Sequence, residues 1–410
     1  MTKQIFKPEL LAPAGSFEQF ITNITYGAYA CYLGGNALNL RAKSSGFSFE
    51  DLERALKIAH NKNKKIYYCL NIFAQDNHLK QVEETLHKLG DFAVDGLIIA
   101  DPGVVRLAKK ILPNTPIHLS TQANTTNSEA VKFWRDQGVE RVNLARELSL
   151  NSIKTIRQTV PKMELEVFVH GAMCMAISGR CFLSAYLNDR SANLGACTHP
   201  CRFNYKTVNI DFEEECRPQG KLWNLEEDEN YSYFFSPDDL CLVNYLKWFC
   251  LNKIDAIKIE GRTKSSSYSA QVIDVYNTAL SDIQQGIFRP KLYTDELLQV
   301  GTRDLGSGFF LGSPKKLFSS IKATKPIIAR IEKQLSQNSW QLQIKKQLDT
   351  SNNLELMLPG LIRPLIKSKQ YALENLKNQS IDIAHPGESV ILKTETPNLS
   401  ENLFIRLAAL

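Results

Sequence analysis

The chain of 410 residues has no apolar stretch near the roughly 20 residues that a membrane-spanning helix needs. Its first residues, MTKQIFKPELLAPAG, carry no long apolar secretory segment and read instead as the approach to a core strand. It has no internal repeat and no low-complexity tract, which sets aside repeat arrays and disordered tails. It has no Gly-x-Ser-x-Gly elbow and no His-Glu-x-x-His, two signatures of hydrolases. No charge of one sign dominates: 49 Lys and Arg stand against 43 Asp and Glu, a net +6. That balance fits a globular protein, with a mild tilt toward an anionic partner such as nucleic acid or a carboxylate. These absences point to a cytoplasmic protein with no membrane partner.

Hydrophobic residues make up 43% of the chain, enough for a sizeable core, and the length suits two or three domains. Eight short apolar runs recur along the first two-thirds: ELLAP (9–13), YACYLGG (29–35), KIYYCLNI (65–72), GLIIAD (96–101), IHLSTQ (117–122), RVNLAR (141–146), LEVFVHG (165–171) and AIKIEG (256–261). Helical patterns such as SFEDLERALKIAHNKN, HLKQVEETLHKLG and SEAVKFWRDQG separate them. Eight βα-like units predict a TIM-like (β/α)8 barrel, with a doubly wound open sheet as the alternative. The eighth helix is expected over Ser266 to Gln285.

The seventh unit is too long. About 85 residues separate His170 from Asp255, where a βα unit needs about 25 to 30. An insertion of about 171–254 is expected there, its acidic and aromatic middle forming loop or hairpin. Residues 300–312 read as a linker or ordered loop. From 323 to 410, segments such as SWQLQIKKQ and ESVILKTE alternate at strand period and predict a small β-barrel-like domain. The predicted organisation is thus a catalytic domain over 1–312 and a β domain over 323–410.

Chemistry in such barrels gathers at the C-terminal ends of the strands. The polar residues at those ends are Gly15, Asn71, Asp101, Gln122 with Asn124, Arg146 with Glu147, His170, and Glu260 with Arg262. Any one of them could be a helix cap or a buried structural pair. His170 closes a very apolar strand, so a satisfied core histidine and a group beside the insertion both fit it.

Four of the nine cysteines fall within 28 residues at the start of the insertion, at Cys174, Cys181, Cys197 and Cys201. In a reducing compartment such a cluster reads as metal or redox chemistry before disulfides. Structural zinc usually uses tighter knuckles than the six-residue gap after Cys174. Iron–sulfur clusters tolerate more varied spacing and are the favoured reading, with zinc, a redox role and unrelated buried thiols remaining. Arg180, Arg190, His199 and Arg202 add positive charge that favours thiolate and suits an anionic substrate.

The segments LLAPAGSFE, RELSL, EVFVHGAMCMAISGRCFLS, the later Cys-x3-Cys-Arg and KIEGRTKS resemble the collagenase-like peptidase family of unassigned mechanism. Within it the chain is most similar to the prephenate-dependent tRNA uridine hydroxylases, over roughly Lys7 to Gly312. The resemblance implies a 4Fe–4S cluster on Cys174, Cys181, Cys197 and Cys201, with Cys216 or Cys241 in reserve. It implies oxygen-independent hydroxylation at C5 of the wobble uridine, prephenate as hydroxyl source, and partners in the tRNA anticodon loop and the iron–sulfur assembly machinery. Prephenate is a dicarboxylate, so Arg146, Arg262, Arg180 and Arg41 are candidate clamps. Gln122 and Asn71 are further candidate substrate-binding groups. An unstacked anticodon base could enter a barrel mouth and stack on Phe182, Tyr186 or Phe203. Glu260 or Glu147 would orient the arginines or move a proton, with His170 beside them. The rival readings are a ribosomal RNA or quinone-precursor hydroxylase, a true peptidase, and an RNA-binding scaffold with structural zinc.

Overall fold

The computed structural model describes residues 5–40, 46–174, 180–181, 183–188, 190, 192–202, 204–205, 226–227, 232–233, 238–300, 303–312, 315–319 and 324–408. Eight parallel strands close on themselves in it. They are β1 (Glu9–Pro13), β2 (Ala30–Leu33), β3 (Lys65–Leu70), β4 (Gly96–Ile99), β5 (Ile117–Leu119), β6 (Arg141–Asn143), β7 (Glu164–Gly171) and β8 (Ala256–Ile259). Each pairs with the next, and β8 returns to β1 through Glu9 opposite Ala256, which completes the ring. The strands read as continuous apolar runs because both of their faces are covered. The (β/α)8 expectation is met, and the open sheet is excluded by the closing pair.

Helices α1 (Phe17–Thr25), α2 (Phe49–Asn61), α3 (Asp76–Leu89), α4 (Pro102–Ile111), α5 (Ser128–Asp136) and α6 (Leu150–Thr159) follow β1 to β6 in turn. Most start on a side-chain cap: Ser16, Ser48, Asp101, Asn127 and Ser149 each accept a backbone N–H from the first turn. After β7 come a short helix in the insertion (Leu183–Asn188) and then α7 (Leu246–Leu251), and after β8 come α8 (Ser266–Gln285) and α9 (Pro290–Leu298). Ser265 caps α8 at its start, and Gly286 ends it in the left-handed conformation. The bounds of α8 match the sequence expectation.

The insertion does not leave the barrel cleanly. Its last part, Asp239–Cys241, runs antiparallel to the end of β7, with Cys241 opposite His170. Leu305–Gly306 then pairs parallel with Asp239–Leu240, and Lys316–Phe318 pairs with Leu305–Gly306. Residues 303–312 of the glycine-rich stretch thus form a rim of the barrel sheet. In the middle of the insertion Asn204–Tyr205, Ser232–Tyr233 and Glu226–Glu227 form a small antiparallel sheet, in line with the predicted hairpin.

The C-terminal part is antiparallel. Its main strands are β9 (Ile327–Ser336), β10 (Ser339–Ile344), β11 (Leu354–Met357), β12 (Tyr371–Glu374), β13 (Ser389–Thr394) and β14 (Phe404–Leu407), ordered β11-β14-β9-β10-β13-β12 across the sheet. It docks on the outer helices. Tyr26, following α1, donates its hydroxyl to Met357 O and accepts from Phe404 N. Arg406 is 1% exposed and bonds to Glu355 on β11 and Glu296 on α9. Arg363 reaches Asp274 on α8 over 2.7 Å.

Candidate functional site

The apolar core lies mostly between barrel and helices, while a smaller cluster of Leu11, Ala30, Tyr32, Tyr67, Cys69 and Ile98 lies inside the barrel. Branched aliphatic layers usually occupy such an interior. Here charged side chains share it. Arg141 is 3% exposed and contacts Glu9 at 2.8 Å and Glu164 at 2.7 Å. Lys258 and Glu166 form a buried pair at 2.7 Å. Sequence reading missed this ladder, although Glu166 inside LEVFVHG and Lys258 inside AIKIEG were the signal: charges within otherwise apolar strands.

At the C-terminal ends of the strands, several predicted residues meet. Asn71 donates to Gln122 Oε1 at 2.9 Å and accepts the Leu40 N–H at 3.4 Å. Arg262, 5% exposed, donates from Nη1 to Asn39 Oδ1 at 3.1 Å. Its Nε and Nη2, and Nε2 of Gln122, are buried with no hydrogen-bond partner among the described residues. Buried donors in that condition are costly, and a site that will receive acceptors is one way to keep them. Arg146 donates to Ala172 O at 3.2 Å, and its guanidinium lies 5.6 Å from the centre of the Phe168 ring. Glu147 and Glu260 sit half-buried at the ends of β6 and β8.

Other predicted residues go elsewhere. Asp101 is the N-cap of α4, accepting from Val104 N at 3.1 Å. His170 turns toward α8. A bulge between Lys258 and Ile259 sets it opposite Ile259, which belongs to the core outside the barrel. Its Nδ1 lies 3.4 Å from the Tyr276 hydroxyl, and burial, followed by the Lys264 charge, lowers its pKa to about 3. The ring is neutral at neutral pH. Cys241 is also buried there, and burial pushes its thiol up to about 11. Arg41, Phe182, Phe203 and Cys216 lie outside the described residues, as do the side chains of Tyr186 and Arg202.

Described parts of the cysteine segment lie at the barrel mouth. The segment leaves β7 at Gly171, whose φ of +106° and contact with Glu260 O leave no room for a side chain. The Arg180 guanidinium stands 5.5 Å from the Phe73 ring, just beyond Asn71. At Gly195 (φ +80°) a Cβ would fall 2.3 Å from Asn39 O, so the segment is pressed on the loop that holds Arg262. Cys174 is exposed, and Cys181, Cys197 and Cys201 are half-buried. The His199 N–H donates to Cys197 Sγ at 3.3 Å, a bond of the kind that steadies a sulfur carrying negative charge. The donor set therefore fits an iron–sulfur cluster in chemistry, although no three such ligands are gathered around a common point among the described residues.

Residues 15–319 match the model of Peptidase family U32. The chain belongs to this family. A relative in Haemophilus influenzae, tRNA hydroxylation protein P, is 33% identical over 99% of this chain and 97% of its own. A protein of the same name in Helicobacter pylori is 40% identical over 75% of this chain and 72% of its own. A collagenase of Porphyromonas gingivalis is 31% identical over 74% of this chain and 73% of its own. This U32 member is thus similar to proteins of two differently named activities. Among the described residues no helix is long and apolar enough to cross a membrane.

Proposed function

We propose that this U32 protein is a tRNA-modifying enzyme. It hydroxylates the wobble uridine at C5, without molecular oxygen, using prephenate as the source of the hydroxyl group. The full-length match to proteins named for tRNA hydroxylation supports the substrate class. The observation that carries the chemistry is the set of buried donors at the mouth, Arg262 Nε and Nη2 with Gln122 Nε2, which await acceptors. A dicarboxylate supplies acceptors in the geometry a guanidinium prefers.

Cys174, Cys181, Cys197 and Cys201 would hold a 4Fe–4S cluster. When bound, such a cluster would supply electron transfer. The chain's own residues do the rest. Arg262, fixed by Asn39, binds a carboxylate, and Arg146, tied to Ala172 O at the root of the cysteine segment, holds the segment's start over the mouth. Gln122, braced by Asn71, donates to a second acceptor. Glu147 and Glu260 stand close enough in sequence to both arginines to orient them or take up a proton. A peptidase reading gains nothing from His170, whose Nδ1 faces Tyr276 rather than a nucleophile.

The test is an anaerobic assay with iron-loaded protein, unmodified tRNA and prephenate. A gain of one oxygen on a single anticodon uridine, dependent on prephenate, is the expected result. Full activity without prephenate would remove it from the reaction.

A further inference from the structure

One more group in the barrel interior stands apart. Tyr32 and Tyr67 are 6% and 1% exposed, as packed core rings should be. Phe168 on β7 is only half-buried, although it points into the same interior. Its neighbour across the strands is Lys258 of β8. The Lys258 ammonium lies 5.4 Å from the Phe168 ring centre and 4.4 Å from that of Tyr32. It is 3% exposed and is fixed by Glu166 at 2.7 Å. The Arg146 guanidinium approaches the same Phe168 ring from the direction of the mouth.

We infer that Phe168 and Lys258 form the subsite for the target base. The base stacks on the Phe168 ring, and the Lys258 ammonium donates to one of its carbonyl oxygens. This rests on the tRNA reading above and deepens it.

Three observations carry the assignment. First, a flat apolar face left partly open inside a barrel is a stacking surface, and base–aromatic stacking serves any unpaired base. Secondly, the ammonium is held by Glu166 on one side and flanked by two rings, so it is oriented before any ligand arrives. A pair of buried charges is a costly way to fill a barrel, and apolar residues would stabilise it as well or better. A fixed donor in a dry site is what the expense provides. Thirdly, the subsite lies inside the barrel, beneath the level of Arg146. A paired base cannot reach it. An unstacked base swung out of a loop can, which matches the exposure of anticodon bases. Glu166 is a positioning residue here, acting through Lys258. Arg262 and Gln122, at the mouth, remain for the anionic co-substrate.

The experiment uses the full chain and an anticodon stem–loop with 5-iodouridine at the wobble position. Ultraviolet crosslinks are mapped by peptide mass spectrometry. The expected crosslink is on Phe168, and Phe168→Leu should remove it while changing stem–loop affinity less than about twofold, because phosphate contacts dominate affinity. Turnover should fall by about tenfold or more. A crosslink confined to the β domain or the outer loops, with binding intact, overturns the subsite and leaves the tRNA reading standing. Failure of the stem–loop to bind at all overturns both. Lys258→Met is compared with Lys258→Met/Glu166→Gln. The double variant should regain thermal stability without regaining turnover. Recovery of both together would mean that Lys258 is purely structural.

Discussion

Arg262 donates from Nη1 to Asn39 Oδ1 at 3.1 Å, and the carbonyl oxygen of the same Asn39 is the atom on which Gly195 rests. One asparagine therefore sets an arginine at the end of β8 and bears the cysteine segment. Asn39 itself is held by donating to Gly35 O at 2.7 Å and Ala37 O at 3.0 Å. Arg262 and the cysteine segment are coupled through a loop that belongs to neither.

Gly195→Ala tests that coupling. The added methyl meets Asn39 O and forces a strained φ. The expected result is a lower iron content after reconstitution, read by visible charge-transfer absorbance. The unfolding midpoint of the barrel should move by only a few degrees. Normal iron loading would show that the contact does not steer the segment.

Arg262→Lys keeps the charge but loses the planar fork that meets Asn39 and a carboxylate at once. KM for prephenate should rise by at least about tenfold, with little change in stem–loop affinity. An unchanged KM would move the clamp to Arg146 or Arg180.

Glu166 and Lys258 offer a test of stability. Removing one charge of a buried pair costs about 3–5 kcal/mol where the other is left uncompensated, and here Arg141, 3.9 Å from Glu166, sets the expected cost at the low end. Lys258→Met should lower the unfolding free energy by that order, measured with urea. A loss under about 1 kcal/mol would mean that solvent reaches the pair.

His170 gives a pH dependence. Its folded pKa of about 3 lies below the 6.5 of the unfolded imidazole, because burial disfavours the charged form. Below pH 6.5 the unfolded chain takes up a proton that the folded chain does not. Stability is thus fully present above pH 6.5 and declines toward pH 3, by up to about 1.4 kcal/mol per pH unit. His118, lowered well below the same value by burial and by Arg141, adds to this slope. His170→Asn should flatten the dependence in urea titrations at several pH values; an unaltered slope would contradict a neutral, buried imidazole.

Much of this architecture is legible in the residues. The eight apolar runs each match a barrel strand to within a residue or two at its start, because a strand buried on both faces is mostly apolar. Ser265 and Gly286 mark the ends of α8 by capping chemistry. The cysteine segment stands out by density alone. The rest depended on tertiary geometry. Asp101 looked like a mouth residue but caps α4, since both roles call for an acid at a strand end. A bulge turned His170 from the barrel axis to α8, and a one-residue shift of that kind leaves no trace in an apolar run. Asn39 lies in a loop with no periodicity. Gln19, which donates to Gly261 O at 3.0 Å and ties α1 to the end of β8, looks in sequence like any helix-face glutamine.

The central claim is that the four thiols serve a tRNA hydroxylation. Nucleoside mass spectrometry of bulk tRNA tests it most directly, in a strain lacking this gene and complemented with wild type or Cys181→Ser. The account predicts that 5-hydroxyuridine and its derivatives vanish in the deletion strain, return with wild type, and stay absent with Cys181→Ser. Full restoration by Cys181→Ser would contradict the role of the cysteine segment. Restoration by neither protein would contradict tRNA as the substrate.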